Sequence, residues 1–104
     1  HQQNEVEKSK NKLYKVIRDR RTGQEPDVSL SEIYQNITHN YPEDWLAYIE
    51  TLELAIHDGD HLLATQIENR LLEIIQNHEH WSKLILDGIN LAKNDQIALL
   101  LGPK

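Results

Sequence analysis

The chain of 104 residues has no cysteine, no methionine and no phenylalanine. Without cysteine there is no disulfide, no thiolate nucleophile and no cysteine zinc site, which fits a cytoplasmic protein. The missing initiator methionine leads us to expect a piece of a longer protein or a processed product. Glycine is scarce. Gly23, Gly59, Gly88 and Gly102 are scattered, so no Gly-rich phosphate loop can be assembled, and no G-x-S-x-G elbow is present. Long hydrophobic runs are absent too. The longest, 97–101, falls far short of the ~20 residues a membrane span needs. No segment alternates apolar and polar residues as a strand would.

What is present is an ordinary globular balance: 38% hydrophobic, 27% charged and a mean hydropathy of -0.65. The net charge of -6 is unevenly spread. Residues 1–21 carry seven basic and three acidic side chains, a surplus of +4, and the rest carry four basic and fourteen acidic, a deficit of -10. The acidic body argues against nucleic-acid binding, which needs a basic surface. The basic segment is expected to lie against that body or to join it to a preceding domain.

The periodicity predicts an all-α protein, a compact bundle of about five antiparallel helices joined by short loops. Leu13, Val16 and Ile17 give the first helix, over 5–20, a thin apolar stripe. Residues 1–22 are therefore expected to form a basic linker or a partly detached first helix, and 23–104 the body. Gly23 and Pro26 mark a loop. Ser29 and Glu32 form an S-x-x-E capping box for a second helix ending near Asn40. Pro42 fits the first turn of a third helix, in which Trp45, Tyr48, Ile49, Leu52, Ala55 and Ile56 repeat on one face. Asp58-Gly59-Asp60 is a tight turn, with Asp60 placed to cap the fourth helix. That helix carries Leu63, Ile67, Leu71, Ile74 and Ile75. A fifth carries Trp81, Leu84, Ile85, Gly88, Ile89, Leu91 and Ala92. Trp45 and Trp81 stand 36 residues apart, a weak echo of the helical-hairpin repeats of tetratricopeptide type. The aromatics are expected in the core and at corners.

Two clusters hold groups that could do chemistry. His57, Asp58, Asp60 and His61 place two imidazoles and two carboxylates within one corner and are candidate metal ligands by donor type. Gly59 breaks the helix between the histidines, and the two aspartates suit a turn equally well. In His78-Glu79-His80 the imidazoles are two residues apart, which on a helix points them away from each other. Glu50 and Glu53 lie one helical turn apart and read as a solvated face rather than an acid–base pair.

The segment Tyr41-Pro42-Glu43-Asp44-Trp45-Leu46, with the helix Ile49-Glu50-Thr51-Leu52-Glu53-Leu54 after it, resembles the helical C-terminal extension of bacterial aromatic amino acid hydroxylases of the phenylalanine 4-monooxygenase kind. The similarity extends upstream to Leu13-Tyr14-Lys15-Val16-Ile17-Arg18 and more loosely downstream to 84–91. The resemblance implies an accessory domain, regulatory, oligomerising or scaffolding, of a monooxygenase that uses non-haem iron and a tetrahydropterin. Its partners would be the catalytic domain of the parent chain or a second copy, with no nucleic acid and no membrane. The iron ligands of that family belong to its catalytic domain and have no counterpart in this sequence, so the resemblance assigns no catalytic, cofactor or metal residue here. The alternative is a free-standing helical-hairpin interaction domain.

Overall fold

The computed structural model describes residues 2–24 and 28–94, with side chains from Glu7 onward. Among these residues are five α-helices: α1 (Gln2–Thr22), α2 (Leu30–Asn40), α3 (Trp45–His57), α4 (His61–Asn77) and α5 (Ser82–Lys93), with a 3-10 turn at Glu79–Trp81 before α5. The described residues include no strand. The radius of gyration, 13.3 Å, matches the ~13 Å of a packed domain of this length. The fold is therefore the all-α bundle that the periodicity predicts. The apolar run 97–101 lies outside the described residues.

The helix boundaries follow from local chemistry. Ser29 Oγ accepts from the backbone N–H groups of Ser31 and Glu32 at 3.1 and 3.4 Å, satisfying two otherwise unpaired donors at the start of α2. Gly59 adopts φ +73°, a left-handed backbone that costs a residue with a Cβ ~1–2 kcal/mol. Asp60 then caps α4, its Oδ1 accepting from Leu63 N–H at 3.1 Å. Pro42 does not enter the third helix. The Asp44 N–H donates to Tyr41 O at 3.0 Å, closing a turn with Pro42 and Glu43 at its centre, where the fixed φ of proline is favoured. Asp44 itself is the cap of α3, accepting from Ala47 N–H at 3.2 Å. Its side-chain oxygen is a better partner for those first amides than anything proline or glutamate offers, so the helix starts three residues later than expected.

The third helix is the axis of the molecule. It packs against α1, α2, α4 and α5, and every residue from Ala47 to Ala55 is buried. Around it stand Leu13 and Ile17 of α1, Ile33 and Ile37 of α2, Ile67, Leu71 and Ile74 of α4, and Ile85 and Ile89 of α5. Gly88 lets α5 approach closely: a Cβ there would overlap Ile49 Cδ1. Leu84, expected on the buried face, is 49% exposed, because the face of α5 that meets α3 runs through Ile85, Gly88, Ile89 and Ala92. The first helix meets the body in its second half, through Leu13 and Ile17, while residues 7–12 are exposed.

Candidate functional site

The His57–His61 corner is built as a helix junction. Asp58 Oδ2 accepts from Arg20 Nη2 at 2.7 Å, tying the corner to α1. Asp60 is the cap of α4. His57 is the last residue of α3 and His61 the first of α4, both exposed. Among the described residues no three of His, Asp and Glu are grouped to hold a metal ion. The second histidine cluster is a stack. The His78 ring lies 4.4 Å from the Trp81 ring and 5.9 Å from that of His80. His78 Nε2 lies 2.7 Å from Glu43 Oε2, so the 3-10 turn is tied to the turn that precedes α3.

The principal polar feature is a seam between α1 and α3. Glu50 is 0% exposed and Glu53 5%, so the pair is not a solvated face. Above them Arg21 Nη2 stands 3.3 Å from Glu53 Oε1 and 3.7 Å from Glu50 Oε1. Arg18 Nε stands 3.9 Å from Glu50 Oε1. The positive surplus at the start of the chain thus meets part of the acidic excess. Neither carboxylate oxygen of Glu50 has a hydrogen-bond donor. Burial therefore pushes the Glu50 carboxyl above the ordinary range, against the pull of Arg18 and Arg21. A signal for this seam exists in the sequence. Arg18 and Arg21 are three residues apart, as are Glu50 and Glu53, and two helices with matched i, i+3 charges can align them. Sequence reasoning missed it because nothing local says which helices face each other.

Beside the seam, toward the N-terminal end of α3, opens a cleft of about 510 Å³. Its walls are aromatic: Tyr14, Tyr41, Trp45 and Trp81. Pro42 and Leu46 complete the apolar lining, and Lys10, Glu43 and Asp44 supply the charges. Tyr14 donates to Asp44 Oδ1 at 2.6 Å, and Lys10 Nζ lies 3.7 Å from Asp44 Oδ2. Burial, and next the hydrogen bond to the Asp44 carboxylate, push the Tyr14 hydroxyl far above the ordinary phenol range, so it stays a neutral donor. Tyr41, Trp45 and Trp81, expected as packing residues, are half-buried and border the core rather than filling it. Of the six aromatic residues in the chain, Tyr48 is fully buried and four line this cleft.

Fold and site together define an all-α bundle whose first helix is clamped by a buried ion-pair seam next to an aromatic cleft. Comparison with family models, with curated proteins and with solved structures returns no match. Among the described residues no helix is long and apolar enough to cross a membrane.

Proposed function

We propose that the chain is a helical accessory domain of an iron- and pterin-dependent aromatic amino acid hydroxylase, working as a regulatory, oligomerising or scaffold module in the cytoplasm. The sequence resemblance supplies the family. The observation that supports an accessory role is the seam. A basic helix is locked onto the central helix of the bundle through Arg18 and Arg21 on Glu50 and Glu53. A helix held by ion pairs as well as by Leu13 and Ile17 carries the orientation of the bundle into whatever chain lies before it. That is what a module acting on a neighbouring domain requires. In this reading iron and tetrahydropterin sit in the parent catalytic domain, and the partner is that domain or a second copy of the module.

The test begins with the native coding frame upstream of residue 1. A domain with a two-histidine, one-carboxylate iron motif in that frame supports the reading. The parent enzyme with and without 1–104 would then be compared for hydroxylation rate and oligomeric state, and a change in either is expected. A start codon close upstream, or further helical hairpins in place of an iron domain, overturns it and leaves the interaction-domain alternative.

A further inference from the structure

Most of the aromatic residues of this protein are not core residues. The core is aliphatic, built on isoleucine, leucine and alanine with Tyr48 as its buried ring. Both tryptophans and two of the four tyrosines instead line one open cleft. All four are half-buried, packed against the core and open to the cleft. The rings come from three separate pieces of the chain: Tyr14 from α1, Tyr41 and Trp45 from the turn and first residue of α3, and Trp81 from the 3-10 turn. Three of the four are also braced. Tyr14 is held by Asp44, Tyr41 donates to Ser9 Oγ, and Trp81 is stacked on His78, which is tied to Glu43.

The charges decide what such a cleft accepts. Glu43 and Asp44 stand against Lys10, a formal balance of -1, in a protein of net charge -6. The positive end of the α3 dipole lies close by, but it is equivalent to about half a charge and is already met by the Asp44 cap. Among the described residues no arginine, the usual fork for carboxylate or phosphate, lines the cleft; Arg18 stands over the Tyr14 ring, 5.6 Å from its centroid, and Arg70 donates to Pro42 O. Tyrosine and tryptophan faces attract cations, and an acidic edge beside them adds to the attraction. The structure also contains a stand-in for the ligand. The Lys10 ammonium, on a half-exposed side chain, sits 3.7 Å from Asp44 Oδ2, an oxygen with no hydrogen-bond donor.

We infer that this cleft is a binding site for a small organic cation of the alkylammonium class, held between the aromatic walls and the Asp44–Glu43 edge in competition with the Lys10 side chain. The volume lies within the range of small-molecule sites. Both tryptophans of the chain line the cleft, so tryptophan fluorescence reports on this place alone.

The experiment titrates the chain with choline chloride at constant ionic strength, and in parallel with 3,3-dimethylbutan-1-ol, which has the same shape without the charge. Choline is expected to change the emission saturably at millimolar concentration, and the neutral alcohol is not. Lys10→Met removes a competing like charge and is expected to tighten choline binding about fivefold, the size of one unit-charge interaction at ~4 Å in water. Trp81→Leu is expected to weaken it roughly two- to fivefold, the loss of one ring face. Circular dichroism checks that both variants keep their helices. Absence of saturation, equal binding of the alcohol, or weaker binding by Lys10→Met overturns the proposal. The last outcome would mean that the Lys10 side chain helps to build the cleft rather than competing for it.

Discussion

Arg21 reaches over the central helix to two buried carboxylates at once, standing 3.3 Å from Glu53 and 3.7 Å from Glu50. The two acids differ in what else they have. Glu50 is wholly buried and has no hydrogen-bond donor on either oxygen. Ion pairs formed out of water are poor sources of stability, because the desolvation cost rivals the attraction. The same pair is costly to break from one side, since the remaining charge is then buried alone. The seam therefore fixes where α1 sits more than how stable the protein is.

Glu50→Gln is expected to leave stability at pH 7 unchanged or to raise it by about 1 kcal/mol, since the amide keeps the shape and removes the buried charge while Arg21 keeps Glu53 as its partner. The pH dependence follows from the raised pKa. The folded state holds the Glu50 proton more tightly than the unfolded chain does. The stability this provides is full below the unfolded carboxylate value and is lost as pH rises through the folded value. Urea midpoints across the acid range check it, and a slope present in the native protein and absent in the variant is the expected result. Glu50→Gln being strongly destabilising at pH 7 would show that the seam is a net source of stability.

Arg21→Met acts on the same seam from the other side. It removes the charge that faces both acids and keeps much of the stem packing. The expected loss is about 2 kcal/mol, below the ~3–5 kcal/mol of fully buried pairs because Arg21 is itself 24% exposed. Combined with Glu50→Gln, it is expected to leave the protein more stable than the sum of the two single effects, because Glu50 then no longer leaves a buried charge without Arg21. A double variant equal to that sum would mean that the two side chains do not act on each other.

The elements were legible in the sequence where a short-range signal exists. Ser29, Gly59 and Asp60 each do locally what their residue type suggests, and the apolar spacing of α2 and α4 marks their buried faces. Pro42 was misplaced because two residues competed to start α3 and the capping carboxylate of Asp44 prevailed. Glu50 and Glu53 were misread because α3 is enclosed on every side, and an enclosed helix buries its polar positions too. That enclosure comes from four neighbouring helices, which no window of sequence contains. The cleft was missed for the same reason: Tyr14, Trp45 and Trp81 are brought together by tertiary packing, and rings at helical spacing read as core.

Gly88→Ala tests how tightly α5 is set on α3. Alanine is the better helix former by ~1 kcal/mol, so on propensity alone the change would stabilise. The new Cβ meets Ile49 Cδ1 inside a filled core, and overpacking of this kind costs ~1–3 kcal/mol. Net destabilisation of about 1 kcal/mol is expected in thermal or urea unfolding. Ile49→Val deletes the clashing methyl, so the double variant should be more stable than Gly88→Ala alone.

Asp60 separates the two roles of the central corner. As the cap of α4 it is expected to lose about 1 kcal/mol on change to Ala and little on change to Asn, which caps equally well. A ligand role would make Asn costly as well, through a loss of metal-dependent stabilisation. Thermal unfolding of Asp60→Ala and Asp60→Asn, each with and without a chelator, distinguishes the two. Chelator-independent melting with Asn close to the native protein is the expected outcome.

Tyr14 makes the last prediction, at the alkaline end. Burial and the bond to Asp44 raise its pKa far above that of an ordinary phenol, so in the folded protein it should not ionise when exposed tyrosines do. Its contribution to stability is complete below the unfolded tyrosine value, ~10, and declines as pH rises above it, because the unfolded chain then loses a proton that the folded one retains. Absorbance at the phenolate band should show the Tyr14 component titrating together with unfolding. Tyr14→Phe removes that component and the bond to a charged acceptor, costing about 1.5–3 kcal/mol at neutral pH, and it leaves the alkaline slope flatter. Ionisation of the Tyr14 component while the helical signal persists would place Tyr14 in water and break its link to Asp44.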